Sequence, residues 1–233
     1  MKQVNNHSMS DVLKIISQDR GRTNILRKYE QLTLAYLVQR IPMWISSNML
    51  TAIGFLGSII IFIGFVLATY VSRYYLLLGV LGYFVCWFGD SLDGRIAYYR
   101  NKQRKWYGFA LDITTDWISV VLMGWGFVIY ADNDWEIVGF CFVILYGWEI
   151  LTTLLRYKIT NKYSIDSGLL GPTEVRIVIS FILILEVLFT GSILYSSTLA
   201  CILLFITNLL DTNKLLKMAD DRDKEEREHN EFK

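Results

Sequence analysis

Four aspartates in one short stretch, Asp90-x-x-Asp93 and Asp112-x-x-x-Asp116, are the residues of this chain best suited to chemistry. They bound the segment DSLDGRIAYYRNKQRKWYGFALDITTD, in which a basic connector, Arg100 to Lys105, separates the two pairs. Spacings of three and four put each pair on one face of a helix. Both pairs sit in apolar runs, where a carboxylate costs roughly 2.5–3.5 kcal/mol at the centre of a bilayer on insertion scales. Four of them require compensation, and crowded carboxylates repel unless cations sit between them. All-oxygen ligation suits magnesium or manganese and disfavours zinc. Such ions at a membrane edge suit phosphate chemistry on a substrate that is half lipid. They would hold a diphosphate and stabilise its leaving oxygens, while an unliganded carboxylate oxygen takes the proton of an attacking hydroxyl. The plainer alternative is that the aspartates cap helices and that Gly94, Ala97 and Gly108 merely pack them.

The elements that must position these residues follow from composition. Of 233 residues, 53% are hydrophobic and two are proline, which is too apolar for an ordinary soluble domain and fits an all-α, polytopic membrane protein. Six apolar stretches, near Leu50–Val71, Tyr75–Tyr98, Gly108–Ala131, Trp135–Tyr157, Pro172–Phe189 and Ser192–Leu210, are expected to cross a hydrocarbon core of ~30 Å. They exceed strand length and lack period-two alternation. Before them, residues 24–41 carry Ile25, Tyr29, Leu32 and Tyr36 at helical spacing among polar groups, which predicts an interfacial amphipathic helix broken by Pro42. A soluble helix docked on a partner is the alternative. Ser46, Ser47 and Asn48 offer N-caps for the first span. The expected organisation is a polar, loose tail (1–23), the amphipathic helix and linker (24–49), a six-helix catalytic domain (50–210) and a charged tail (211–233). Cys86, Cys141 and Cys201 fall inside apolar runs and read as buried thiols.

Lysine and arginine give the orientation. Seven precede the first span, five lie in and beside the second-to-third connector, four lie around the fourth-to-fifth and six follow the last. The first-to-second connector holds only Arg73, and the remaining two hold none. The positive-inside rule then places both termini and the acidic motifs on the cytoplasmic side. On that topology Asp90 lies about eight residues, or ~12 Å, from the end of its span, and Asp116 lies equally far from the start of the next. Asp93 and Asp112 match each other somewhat closer to the surface. A net charge of +1 leaves no footprint for nucleic acid, and no such partner is expected.

The order Asp90-x-x-Asp93-Gly94-x-x-Ala97, then Gly108-x-x-x-Asp112-x-x-x-Asp116, resembles the signature of the CDP-alcohol phosphotransferases, with seven of its eight fixed positions present. The resemblance covers residues 24–210. It implies transfer of a substituted phosphate from a CDP-linked donor, CDP-diacylglycerol or a CDP-amino alcohol, to an alcohol or lipid acceptor with release of CMP, in phospholipid biosynthesis. It also implies two magnesium or manganese ions and a homodimer. Asp90, Asp93 and Asp112 would be metal ligands, and Asp116 a ligand or the general base. Gly94, Ala97 and Gly108 would line the nucleotide pocket. Asn48, within a stretch similar to the family's Pro-Asn-x-Leu-Thr, would reach the nucleotide or act as an ordinary N-cap. Two departures stand out: the motif arginine is Tyr98 here, and the segment to Gly108 is one residue longer than usual. Arg100, or Arg95, is the expected substitute on the nucleotide phosphates. Glu174 and Arg176, in a Gly-Pro-Thr-Glu stretch similar to that of choline and ethanolamine phosphotransferases, would border the acceptor, or simply open a helix.

Three other readings compete. A prenyltransferase would keep its two acidic motifs far apart in a larger bundle. A proton- or cation-coupled transporter would place its carboxylates at the midplane on broken helices. A catalytically inactive family member acting as a membrane scaffold is the third, favoured by Tyr98 and the extra residue.

Overall fold

A computed structural model describes residues 8–16, 26–131, 133–160 and 171–231. The expected tail residues 1–7, 17–23 and 232–233, the start of the amphipathic segment at 24–25, and most of the fourth-to-fifth connector lie outside them. Among the described residues eight α-helices run in order: α1 Met9–Ile16, α2 Arg27–Arg40, α3 Ser47–Tyr70, α4 Leu76–Tyr99, α5 Lys105–Tyr130, α6 Glu136–Thr160, α7 Pro172–Leu188 and α8 Ser192–Glu231. No strand occurs among the described residues. The all-α class is therefore as expected, and the chain is an integral membrane protein.

Among the described residues five helices, α3 to α6 and α8, are long and apolar enough to cross a membrane. The helix α7 has 17 residues, about 25 Å at 1.5 Å per residue, short of a ~30 Å core. It packs between α4 and α8 within the bundle.

Local chemistry sets the breaks. Helix α2 stops at Arg40, ahead of Pro42, whose ring removes a donor. Ser46 caps α3, its Oγ accepting the Met49 N–H at 3.2 Å. Helix α4 ends in a Schellman motif: Asn101 takes a left-handed φ of 53°, its N–H bonds the Tyr98 carbonyl at 3.0 Å and the Lys102 N–H bonds Ala97 at 2.9 Å. Pro172 occupies the first turn of α7, and Glu174 reaches back to accept the Gly171 N–H at 3.0 Å.

The expectation of a loose N-terminal tail needs correcting over α1. Met9–Ile16 is helical, and its Val12 and Ile16 are buried against α2 and α4. Two apolar groups at i and i+4 share a face, enough to dock a short helix that could not persist alone. At the other end no break marks residue 211. Helix α8 continues through the charged segment, supported by i,i+4 pairs Arg222–Glu226 at 2.8 Å and Lys224–Asp220 at 2.6 Å. Asp211 is buried there and faces Arg156 of α6 at 3.5 Å.

The buried side chains form two cores. One, around Ile61, Phe65, Tyr83, Phe127 and Leu183, fills the bundle toward the end that carries the α7–α8 turn. The other joins Val12 and Ile16 of α1, Leu34, Ala35 and Val38 of α2, Leu50 of α3 and Leu92 and Ile96 of α4 at the opposite end. Helix α2 is thus docked on the bundle by Leu34, Ala35 and Val38, while the Tyr29, Leu32 and Tyr36 stripe that the sequence singled out is exposed. Cys86 and Cys201 are buried, Cys141 is half-buried, and all three are free thiols.

Glu186, inside α7 and only 1% exposed, organises the first of these ends. Its carboxylate accepts from Tyr130 Oη at 2.8 Å, the Gly191 N–H at 2.9 Å, the Ile193 N–H at 2.8 Å and Ser192 Oγ at 3.3 Å. Gly191, at φ 90°, allows the turn to fold back over it. Glu186→Leu is expected to lower the stability of the detergent-solubilised protein by about 3 kcal/mol, since buried donors lose a charged acceptor. Thermal unfolding checks it.

Candidate active site

The site depends on how closely α3 and α4 approach. Gly54 and Gly57 of α3 face Gly82, Cys86 and Gly89 of α4, and a Cβ built on Gly89 would lie 2.2 Å from the Gly54 nitrogen. Small residues here let the backbones touch, as membrane helices do when little else drives them together. Helix α3 also packs on α5, and α4 and α5 are not among the closely packed pairs. The aspartates of α4 and α5 therefore meet across a gap lined by α3.

Three of the four gather. Asp90, Asp112 and Asp116 each offer a carboxylate oxygen, and these oxygens lie within 4.8 Å of one another. Asp93, one turn further along α4, is buried instead against α3. Its Oδ2 accepts from Thr51 Oγ1 at 2.7 Å, its Oδ1 from the Gly94 N–H, and its backbone carbonyl from Ser47 Oγ at 2.9 Å. Ser47 and Thr51, four apart on α3, hold the backbone and the carboxylate of Asp93 respectively. Their spacing was present in the sequence, but nothing there showed which helix they face.

The three gathered carboxylates fit a small divalent cation. Oxygens bound to one octahedral magnesium at ~2.1 Å stand ~3.0 Å apart when adjacent and ~4.2 Å when opposite, so side-chain rotation of about an ångström or two closes the present arrangement. The donor set is oxygen alone, as magnesium and manganese favour. Gly108, one turn before Asp112, is exposed, with nothing within 4 Å of where its Cβ would be. It packs no helix, in contrast to Gly89, and leaves open space beside the carboxylates. Gly94 and Ala97 are half-buried on α4.

The basic residues are arranged differently from what sequence spacing suggests. Arg100 donates to the backbone carbonyls of Ile41 and Pro42 at 3.0 Å each and of Ile45 at 2.5 Å, fastening the α2–α3 linker. Partial burial lowers its pKa, and three carbonyl acceptors satisfy the N–H groups turned away from water. Arg95 is buried, donates to the Ser91 carbonyl and faces Glu30 of α2 at 3.8 Å. Arg100→Ala is expected to cost about 2 kcal/mol of stability and to expose the linker to proteolysis, with donor affinity changed little. Limited proteolysis beside a nucleotide-binding titration separates these effects.

Arg104, at the start of α5, gives its Nη2 to Asn48 Oδ1 at 2.6 Å, bringing Asn48 to the rim of the gap. Glu174 is buried and binds backbone on two sides, the Gly171 N–H and, at 2.8 Å, the Leu26 N–H that begins α2. Arg176, one turn along α7, reaches the carboxylates: its Nη2 lies 2.5 Å from Asp90 Oδ2. This ion pair joins positions 86 residues apart, which no local spacing could reveal.

No curated protein matches the chain. A family described as CDP-alcohol phosphatidyltransferase matches residues 44–211, a range that holds every aspartate of the cluster, the glycines beside it and Arg176. With the match spanning most of the 233 residues and all helices from α3 into α8, the chain belongs to the CDP-alcohol phosphatidyltransferase family.

Proposed function

We propose that this protein transfers a substituted phosphate from a CDP-linked donor to an alcohol and releases CMP, with its reacting groups at the Asp90–Asp112–Asp116 cluster. Family membership establishes the class: a membrane transferase of phospholipid biosynthesis that takes a CDP-alcohol donor and an alcohol acceptor and generally depends on a divalent metal. The observation that carries the finer reading is the convergence of three motif carboxylates to within 4.8 Å.

Bound divalent ions, magnesium or manganese and two in number, would neutralise the diphosphate and stabilise the departing CMP oxygen. The chain's own residues then divide the work. Asp90, Asp112 and Asp116 would hold the ions, and Asp93 would join them by rotating from Thr51 or fix the helix that carries Asp90. Gly94, Ala97 and Gly108 let the nucleotide approach the α4 and α5 backbones. Asn48, held by Arg104, lies where the cytosine or ribose would meet the rim. Asp116 takes the proton from the acceptor hydroxyl as its oxygen attacks the phosphorus nearer the transferred alcohol, and the bond to the CMP oxygen breaks. Arg100 and Glu174 support the site by holding α2 and its linker.

Positive-inside patterning supports six spans with the cluster and both termini at the cytoplasmic face, and family resemblance supports a homodimer. The transporter alternative has little support, since the carboxylates lie on unbroken helices beside a connector. The test offers purified protein CDP-diacylglycerol with pooled polar alcohols and, separately, CDP-choline or CDP-ethanolamine with diacylglycerol, each donor labelled in the transferred half. Label appearing in phospholipid from either set confirms the transfer and identifies the donor. A folded protein that labels no lipid from any set contradicts it.

A further inference from the structure

The position that the resembled signature fills with arginine is Tyr98 in this chain. The two arginines nearest in sequence are committed elsewhere, Arg100 to three backbone carbonyls and Arg95 to Ser91 and Glu30. The guanidinium that does enter the cluster comes from α7. Arg176 Nη2 sits 2.5 Å from Asp90 Oδ2, with side chains 19% and 30% exposed, so both face a partly open gap.

We propose that Arg176 is the exchangeable cation of this site: it pairs with Asp90 while the carboxylates lack metal and turns to the donor diphosphate once metal takes the Asp90 oxygen. The proposal rests on the transferase reading above and assigns Arg176 to the donor side, where the sequence alone suggested the acceptor. Competition for one oxygen motivates it. A divalent ion bound among Asp90, Asp112 and Asp116 would draw on the Asp90 carboxylate that Arg176 holds. That ion competes with Arg176 for the same Asp90 oxygen, and once displaced the guanidinium is a buried-edge cation seeking an anion. A diphosphate held by the metals is the nearest one, and a planar fork of N–H donors matches its oxygens. Helix α7 begins with Glu174 locked to two backbone N–H groups, so the base of the Arg176 side chain is held while its end can swing.

The experiment compares wild type, Arg176→Gln and Arg176→Lys in detergent, titrating Mn2+ by paramagnetic resonance without nucleotide and then CDP at saturating Mn2+. Removing a competing cation should tighten Mn2+ binding by roughly tenfold in Arg176→Gln. CDP binding should weaken by about tenfold or more in the same variant, with Arg176→Lys between it and wild type. Equal Mn2+ affinity in wild type and Arg176→Gln overturns the exchange. Unchanged CDP affinity with a raised KM for the alcohol overturns the donor assignment. A wild-type protein that binds Mn2+ but no CDP overturns the transferase reading and the diphosphate half together, whereas the Mn2+ comparison still decides the exchange alone.

Discussion

Asp112→Asn is expected to lower CMP release by at least about a hundredfold while leaving the protein folded. The amide keeps the shape of the side chain but removes one of the three negative charges that converge within 4.8 Å. Metal affinity falls with it, because a neutral carbonyl oxygen is a much weaker ligand for magnesium than a carboxylate. Loss of an electrostatic group aimed at developing charge commonly costs 10²–10³ in rate. Removing one of several mutually repelling carboxylates should also raise thermal stability slightly when metal is absent. Asp116→Asn is expected to lose turnover equally and to lose less of its metal affinity if its main task is to accept the proton. Paired measurements of Mn2+ affinity and CMP release distinguish the two positions. Near-normal turnover in Asp116→Asn would reject the base assignment.

Gly89→Ala should be among the most damaging single-methyl additions in the molecule. Its new Cβ would fall 2.2 Å from the Gly54 nitrogen, 2.5 Å from the Gly54 Cα and 2.5 Å from the Leu50 carbonyl oxygen. These are backbone atoms, which cannot rotate away, so α3 and α4 must separate. Overpacking of this kind costs typically about 1–3 kcal/mol and occasionally more. The separation is transmitted at once to the adjacent Asp90 and, through Thr51 and Ser47, to Asp93. A lowered unfolding temperature with strongly reduced CMP release is the expected result. Gly108→Ala provides the contrast. It meets open space, so stability should change by less than about 0.5 kcal/mol, while a methyl group beside the donor raises the donor KM. If both variants behave alike, Gly89 and Gly108 do not have the separate tasks assigned to them.

Much of this was legible in the chain. Apolar runs of span length are readable because lipid forces every backbone group into helix, and Pro42 and Ser46 mark their breaks by local chemistry alone. The acidic motif was readable because carboxylates in such runs are costly and so conspicuous. The rest depended on contacts that spacing does not encode. That Asp93 turns to Thr51 is decided by the α3–α4 contact, whose glycines look like ordinary small residues in a hydrophobic run. Arg100 seemed a free cation beside the site, yet the α2–α3 linker folds back and presents three carbonyls to it. Arg95 is drawn aside by Glu30 of α2, and Arg176 enters from α7 in their place. The docking of α1 escaped notice because eight residues, five of them apolar, are too short a run to signal a helix without the surface they pack on. The shortness of α7 is a packing outcome as well, its end set by Glu186 gathering the turn at Gly191.

The central claim is that the aspartate cluster performs a metal-dependent CDP-alcohol transfer, and CMP release under metal depletion and add-back tests it most directly. Purified wild-type protein with a CDP donor and its alcohol should release no CMP in excess chelator. It should recover on adding magnesium or manganese, and the Asp112→Asn protein should not recover at either metal. CMP release that persists in chelator, or an Asp112→Asn protein restored to wild-type turnover at the same magnesium concentration, would contradict the account.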